Sequence, residues 1–346
     1  MKNPFPFETL ADGSTFYGRE KELAQIYKFA KNSVNLLIYS KRRMGKTTLI
    51  KEFMRRQKGE FVCIYSDIFD ITCGEDFVRE LLKNTAKSQE HTFKTTFNTL
   101  LSKLKRISFE ITLDPNTYEL SANPMIKNAN FDEAMDDLFT MLTEISKDKK
   151  VVFIIDEFQR VPDLLLEIKK IVDQKALTGE ENNGLFWLTG SQKFKMMKNV
   201  SETLAGRVAA LDMSSLTASE LEGRSAGRFS PELSDIKKHL EDVKVKTIHE
   251  IFESIFRGGM PKPITNDNID RDRYYMDYVN TYLERDVKDL AQVGKIDEFY
   301  QFLVYMAANT AQELKYEAIS KEIGVSAPTV KSWVSILERS GIICIL

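Results

Sequence analysis

The stretch Ser40-Lys41-Arg42-Arg43-Met44-Gly45-Lys46-Thr47-Thr48 lies between two segments of regular pattern. Before it, residues 34–39 read VNLLIY, an apolar run of strand length. After it, apolar residues recur at the three- and four-residue spacing of a helix: Leu49, Ile50, Phe53 and Met54. The sequence therefore predicts a strand, a loop and a helix in direct succession.

A loop in this position with Gly-Lys-Thr at its end has the pattern of a phosphate-binding loop. Such a loop needs backbone N–H groups that point inward, a lysine for the β- and γ-phosphates and a hydroxyl for Mg²⁺. Ser40-x-x-x-x-Gly45-Lys46-Thr47 supplies each, although Ser40 stands where glycine is usual. We predict that ATP binds here, with Thr47 on the metal, through Ser40, Lys41, Arg42, Arg43, Met44, Gly45, Lys46, Thr47 and Thr48.

Four more apolar segments of strand length follow, at residues 61–65, 151–155, 185–189 and 208–212. Strands that are apolar at every position and alternate with helices are typical of a parallel sheet covered on both faces. The predicted fold class is therefore α/β, a P-loop NTPase with a five-stranded parallel sheet. Between the second and third strands, residues 107–124 contain two strand-like segments on either side of an Asp-Pro-Asn turn signal. This pattern predicts an inserted β-hairpin.

Two carboxylates, Asp156 and Glu157, come directly after the 151–155 strand. Open α/β sheets bind ligands at the carboxyl ends of their strands. We predict that Asp156 holds Mg²⁺ through water and that Glu157 polarises the attacking water in hydrolysis of a γ-phosphate. An isolated Asp-Glu pair elsewhere would be only a solvated strand end.

Two later residues complete the predicted catalytic set. Thr189 ends the fourth strand and is the favoured γ-phosphate sensor, with Ser191 second; a helix cap is the alternative for Ser191. Arg207 immediately precedes the fifth strand, where a cation would neutralise transition-state charge in the same subunit or in a neighbour's. An ordinary structural ion pair is the alternative for Arg207.

The strand signals stop near residue 221, and the Gly/Ser/Pro-rich residues 223–231 predict a linker or lid loop. We predict a P-loop ATPase domain at 14–222 and an all-α module at 232–346. The module ends in a winged-helix-like helix-turn-helix, with helices at 316–323 and 328–339 around a turn at 324–326.

Composition excludes several classes of protein. The 346 residues are 42% hydrophobic and 29% charged, which excludes a disordered or fibrous chain. The net charge of −2 gives no bulk attraction to nucleic acid or an anionic membrane. Three cysteines without metal-ligand spacing favour a reducing compartment. Because neither a membrane span nor a signal peptide is recognisable, we predict a cytoplasmic protein.

Several motifs resemble those of prokaryotic, mainly archaeal, ATPases of the AAA+/STAND group. They are the segment 16–23 (FYGREKEL), the loop 40–48 and the segment 154–159 (IIDEFQ). The stretches 156–164, 188–192 and 204–208 are more similar to AAA domain family 14. The resemblance implies that the Gly18-Arg19-Glu20 segment lies against the adenine. It also implies that Pro261, in Gly258-Gly259-Met260-Pro261, packs on the base and couples the helical module to nucleotide state.

Residues 278–346 resemble the family called "domain of unknown function 4143", which commonly follows that ATPase domain. Its members usually continue into a nuclease-like α/β module. The resemblance therefore implies that this chain is shortened after the helix-turn-helix.

Three functions remain open on the sequence. The favoured one is Mg²⁺-dependent hydrolysis of ATP that drives a conformational switch of the helical module, with an unknown protein partner. The second is a nucleotide-binding module with little turnover, against which Glu157 argues. The third is an ATP-gated DNA-binding regulator. From Arg271 to Leu346, five Lys and four Arg stand against five Asp and six Glu, a net of −2 that disfavours phosphate contacts.

Overall fold

The structure of the chain is a computed structural model. It describes residues 16–57, 59–69, 71, 74–89, 107–113, 120–126, 133, 135, 137, 138, 150–161, 164–178, 184–190, 200, 203–224, 230–242, 245–266, 268–282 and 296–346. The chain divides into two compact units, and the division falls between Ser214 and Ser215.

The first unit is built on a five-stranded parallel sheet. Its strands are β1 (Leu36–Ser40), β2 (Val62–Asp67), β5 (Val151–Asp156), β6 (Gly184–Gly190) and β7 (Ala209–Met213). Their order across the sheet is β2-β5-β6-β1-β7, and every neighbouring pair is parallel. The predicted α/β class and its five strands are confirmed, with strand bounds that differ from the prediction by one or two residues.

Helices cover both faces of this sheet. α1 (Glu20–Lys31) and α2 (Lys46–Arg56) pack on one face, in a cluster that contains Ile38, Ile154 and Trp187. α3 (Gly74–Gln89) and α4 (Leu164–Thr178) pack on the other, in a cluster that contains Leu37, Phe153 and Leu188. β5 is buried at all six of its positions, in agreement with the unbroken apolar run at residues 151–155.

The inserted hairpin is present between the second and third strands of the main sheet. β3 (Ile107–Leu113) and β4 (Leu120–Ile126) pair antiparallel in a separate two-stranded sheet. The Asp-Pro-Asn turn that predicted the hairpin lies outside the described residues.

The second unit is helical. Its helices are α5 (Ala218–Leu221), α6 (Leu233–Asp242), α7 (Ile248–Arg257), α8 (Pro261–Thr265), α9 (Arg271–Tyr282), α10 (Ile296–Ala308), α11 (Tyr316–Ile323) and α12 (Ala327–Arg339). α11 and α12 lie where the helix spacing and the Ser326 N-cap predict them, and the Ser326 side chain accepts the N–H of Thr329. Among the described residues of this unit no strand occurs, so a wing strand is not found there.

The last helices of this unit share one core. Phe299 and Phe302 of α10 pack around Trp333 of α12, with ring centroids 5.1 and 5.4 Å from the tryptophan. Tyr282 joins the same core and lies 6.5 Å from the stacked ring of Tyr278. Aromatic side chains on α9 therefore contribute to packing.

Two further properties of the described helices concern their apolar residues. None of the described helices is both long enough and apolar enough to cross a membrane. α7 carries exposed apolar side chains on one face, at 73% for Ile248, 68% for Ile255 and 70% for Phe256.

Candidate functional site

The loop after β1 wraps the start of α2. Gly45 caps α2 in the left-handed conformation, at φ 86°, which a residue with a Cβ adopts only with strain. Arg43 is also left-handed, at φ 61°. Ser40 is not among the positive-φ residues and ends β1 with 1% exposure. Because Ser40 needs no left-handed backbone, its departure from the usual glycine is compatible with this loop.

Lys46 is the first residue of α2 and its amine is directed back toward the end of β1. Its Nζ donates to Ser40 Oγ at 3.2 Å, and the residue is 7% exposed. The Ser40 hydroxyl in turn donates to the Lys41 carbonyl at 2.7 Å. A nearly buried ammonium at the N-terminus of a helix combines a fixed charge with N–H groups that have no partner within the helix, which favours anions.

Thr47 and Asp156 form the centre of the site. Thr47 Oγ1 donates to Asp156 Oδ2 at 2.9 Å, and Asp156 is 4% exposed at the end of β5. Mg²⁺ prefers oxygen ligands and is usually held by one or two carboxylates together with phosphates and waters. A hydroxyl and a carboxylate beside the Lys46 amine therefore fit a Mg²⁺ ion bound with a nucleotide.

Strand register aligns the predicted sensor with this centre. Asp156 of β5 lies opposite Thr189 of β6, and Thr189 lies opposite Ile38 of β1. Side chains alternate along a strand, so Asp156 and Thr189 share the face that α2 covers. Thr189 is 0% exposed, and its Oγ1 has no hydrogen-bond partner among the described residues. Ser191, the second candidate, lies outside the described residues.

Glu157 follows Asp156 in a left-handed backbone conformation, with φ 60° and ψ 33°. Its N–H donates to Asp156 Oδ1 at 3.1 Å. A residue with a Cβ in this conformation costs of order 1 to 3 kcal/mol, and such residues cluster at functional sites. Its side-chain Oε2 accepts from Gln159 Nε2 at 2.6 Å.

Arg207 lies at the amino ends of the parallel strands, the end of the sheet opposite to the phosphate-binding loop. Its carbonyl accepts from the side chain of Asn35, the residue before β1, at 3.2 Å. The phosphate-binding loop starts at Ser40, at the other end of β1. Five residues separate Asn35 from Ser40, a distance of about 16 Å at the rise of a strand. Contact with a γ-phosphate of the same chain is therefore a wrong prediction, because the start of β7 and the end of β1 lie on opposite edges. Contact with a neighbouring chain's nucleotide stays a prediction.

The Arg207 side chain forms the ion pair that was the alternative. Its Nε lies 2.6 Å from Asp173 Oδ1, and its Nη2 lies 3.1 Å from Oδ2. This bidentate hydrogen bonding lowers the pKa of Asp173 and raises that of Arg207. Both side chains are about a third exposed, at 33% and 39%, so solvent screens the pair and its contribution to stability is small.

Gly18 and Arg19 precede α1, both with φ 63°. The Arg19 side chain is buried and donates to the Ser214 carbonyl at 2.5 Å and, more weakly, to the Met44 carbonyl at 3.5 Å. Arg19 therefore joins the phosphate-loop segment to the end of β7. Contact of the Gly18-Arg19 backbone with adenine stays a prediction.

Pro261 belongs to the second unit, where it is the first residue of α8. Two glycines before it are required by close packing. A Cβ on Gly259 would lie 2.5 Å from Ser215 Cβ, and one on Gly258 would lie 2.3 Å from the Tyr275 hydroxyl oxygen. The Gly-Gly-Met-Pro turn is thus a tightly packed turn, and contact of Pro261 with the base stays a prediction.

Two residues at the site, Tyr65 and Lys51, were not predicted from the sequence. Tyr65 donates from its hydroxyl to Asp156 Oδ2 at 2.9 Å, the oxygen that Thr47 also contacts. Burial, and then the charge of Asp156, raise the pKa of Tyr65. The Lys51 amine lies 3.5 Å from the centre of the Tyr65 ring. Burial lowers the pKa of Lys51, and the carboxylates of Asp156 and Asp67 oppose that effect.

The sequence held only a weak signal for this pair. Lys51 follows Thr47 by one helical turn, so both lie on one side of α2. Tyr65 lies in a strand, where tyrosine is as common as an apolar residue and gives no signal of a site. Its partner, Asp156, is 91 positions away.

The sheet order, the loop after a central strand and the acidic strand end are together those of a P-loop ATPase. Residues 92–222 match AAA domain family 14, described as "AAA domain". Residues 248–346 match "Domain of unknown function (DUF8612)", a different family from the one that the sequence resemblance suggested. Neither match reaches half of the 346 residues.

Two curated relatives cover the chain in part. The uncharacterized ATP-binding protein PYRAB06260 of Pyrococcus abyssi is 31% identical over 155 residues, 43% of this chain and 44% of that protein. The uncharacterized protein Rv2008c of Mycobacterium tuberculosis is 30% identical over 141 residues, 40% of this chain and 24% of that protein. The chain spans less than half the length of these relatives.

A solved structure covers nearly all of the chain. The Walker-type ATPase PABY2304 of Pyrococcus abyssi aligns with 96% of this chain and 92% of its own, at a TM-score of 0.52 and 16% identity. An identity this low carries the fold alone. The chain therefore has the P-loop ATPase fold.

Proposed function

We propose that this chain binds ATP with Mg²⁺, hydrolyses the γ-phosphate and uses the difference between ATP and ADP to move its helical unit. The observation that carries the proposal is the alignment of Lys46, Asp156 and Thr189 at one edge of the sheet, where each is nearly or fully buried. A fold without chemistry at this edge has no need of three buried polar groups, because burial of each is costly. The family match and the ATP-binding relative support the same function.

The phosphates would be held by the loop and by Lys46. Loop N–H groups and the N-terminus of α2 provide partial positive charge, and Lys46 adds a full charge near the end of β1. Bound Mg²⁺ would neutralise charge on the β- and γ-phosphates. Thr47 and Asp156 would hold it. The Tyr65 hydroxyl donates to the same Asp156 oxygen as Thr47 and would fix the orientation of that carboxylate.

Hydrolysis requires a water in line with the γ-phosphate and a base that orients it. Glu157 has that role in the proposal because it follows Asp156 directly and lies at the same strand end. Thr189 would donate its hydroxyl to the γ-phosphate or to the attacking water. This assignment accounts for a buried hydroxyl that has no partner among the described residues.

The role of Thr189 predicts opposite effects on activity and stability. Thr189→Val removes the hydroxyl with little change of shape, so ATP affinity should stay while hydrolysis falls roughly 10²-fold, the scale for loss of one transition-state donor. The melting temperature should stay or rise, because no described residue would lose a hydrogen-bond partner with this hydroxyl. Phosphate release and thermal unfolding measure the two effects.

Thr85→Val is the matched control for this variant. Thr85 is also 0% exposed, but its hydroxyl donates to the Leu81 carbonyl at 2.7 Å within α3, on the other face of the sheet. This variant should lose stability and keep its turnover. If Thr189→Val behaves like Thr85→Val, the hydroxyl is structural and Thr189 is not a sensor.

The switch is proposed from contacts near the junction of the two units. Arg19 binds the carbonyl of Ser214, the last residue of the first unit. Two residues further along the chain, in the second unit, the Leu216 N–H donates to the Gly259 carbonyl at 3.1 Å. A nucleotide-dependent shift of the phosphate loop would thus reach the Gly-Gly-Met-Pro turn through consecutive residues of the chain.

The switch predicts that trypsin cleavage within residues 223–231 depends on the nucleotide. A ligand shifts a conformational equilibrium only through differential contacts, so ATP and ADP must favour different placements of the second unit. With Glu157→Gln, which should keep ATP intact, the cleavage rates after Arg224 and Arg228 should differ severalfold between ATP and ADP. Equal rates with ATP, ADP and no nucleotide would remove the switch and leave hydrolysis untouched.

A further inference from the structure

We infer that Gln159 positions Glu157 for its work as the base, an inference that rests on the proposed function. The two side chains are two residues apart and joined by the hydrogen bond from Gln159 Nε2 to Glu157 Oε2, 2.6 Å long. A bond of this length between an amide and a carboxylate belongs to the strong, charge-assisted class. It fixes one carboxylate oxygen of a side chain that has three rotatable bonds.

The backbone on either side makes this contact precise. Glu157 is held in its left-handed conformation between Asp156, which accepts its N–H, and the short 3₁₀ helix Phe158–Arg160. Phe158 is 0% exposed in the core under that helix. Gln159 therefore extends from a turn that is anchored on both sides, which is what a positioning residue needs.

The other end of the Gln159 amide shows why packing does not explain the residue. Its Oε1 is buried and has no hydrogen-bond partner among the described residues. A methionine or leucine would fill similar space without leaving a buried acceptor unsatisfied. Among the described residues, the hydrogen bond from Nε2 to Glu157 is the one that offsets this cost.

An oriented base matters because proton acceptance depends on geometry before it depends on basicity. A displacement near 1 Å in a reacting group costs up to about 10²-fold in rate. Gln159 does not touch the nucleotide in this account, so its loss should change kcat and leave ATP affinity unchanged.

The test is a double-mutant cycle in the full chain, with ATP turnover and ATP affinity measured for each variant. Gln159→Ala should lower kcat about tenfold while the Kd for ATP stays within about twofold. Gln159→Glu keeps the size but replaces the donor by a second carboxylate, so its loss should be at least as large. In the Glu157→Gln background, Gln159→Ala should cause no further loss, because its effect passes through Glu157.

Gln25→Ala is the matched control, since Gln25 is an exposed glutamine on α1, and it should behave as wild type. Thermal unfolding of each variant identifies loss of fold, and the size-conserving Gln159→Glu keeps the test informative if Gln159→Ala unfolds. If Gln159→Ala lowers turnover by the same factor in both backgrounds, the inference is overturned in favour of a structural role. A rise in kcat for Gln159→Ala would overturn it in favour of a restraint on Glu157.

The cycle separates failure of this inference from failure of the proposed function. If Glu157→Gln lowers turnover and Gln159→Ala does not, only the role of Gln159 is overturned. If Glu157→Gln itself leaves turnover unchanged, Glu157 is not the base and both are overturned.

Discussion

Replacing Lys46 with alanine should weaken nucleotide binding severely. The Lys46 amine is nearly buried at the end of β1, beside Ser40, and is directed to the loop interior. Loop N–H groups alone do not neutralise the charge of a triphosphate. Truncating one partner of a buried charge pair typically costs 2 to 5 kcal/mol, so the Kd for ATP should rise by at least roughly 30-fold. Titration calorimetry with Mg²⁺-ATP measures the change directly.

Lys28→Ala is the control, because Lys28 is an exposed lysine of the same unit on α1. It should bind ATP like the wild type. A Lys46→Ala chain that melts like the wild type and keeps wild-type affinity for ATP would contradict the assignment of residues 40–48 as a phosphate-binding loop.

Replacing Glu157 with glutamine should separate binding from hydrolysis. The proposal gives Glu157 the attacking water and not the phosphates, so the variant should hold ATP with wild-type affinity. Turnover should fall by roughly 10²-fold or more, the scale for loss of a general base. Filter binding of labelled ATP and phosphate release under single-turnover conditions give the two quantities.

The matched control is Glu60→Gln. Glu60 precedes β2 and therefore lies at the sheet edge opposite the nucleotide site, where it accepts the Tyr27 hydroxyl at 2.8 Å. Its loss should leave turnover unchanged. Unchanged turnover in Glu157→Gln as well would make that carboxylate an ordinary strand-end residue.

The features predicted correctly from the sequence are those that local pattern encodes. An unbroken apolar strand such as Val151–Asp156 is buried on both faces, so its position and parallel character follow from composition. The succession of β1, a loop and α2 was predicted correctly because it depends on neighbouring residues only. Helices α11 and α12 were predicted closely because Gly324 and Ser326 supply local stop and start signals.

The features that the sequence did not predict depend on strand order and on contacts between distant residues. The ion pair of Arg207 with Asp173 joins residues 34 positions apart, and no local pattern encodes that contact. Tyr65 meets Asp156 only because β2 and β5 are neighbours in the sheet. Gln159 is close to Glu157 in sequence, but their hydrogen bond depends on a left-handed turn that a non-glycine residue rarely adopts.

We propose that this chain hydrolyses ATP at the site formed by Lys46, Asp156, Glu157 and Thr189. ADP formation by the purified full chain with saturating ATP, in Mg²⁺ and in excess EDTA, tests this proposal. We expect steady turnover in Mg²⁺ that EDTA removes and that Glu157→Gln lowers by about 10²-fold. Tight ATP binding in Mg²⁺ with no ADP formed beyond that of the Glu157→Gln chain would contradict it and would leave a nucleotide-binding module without turnover.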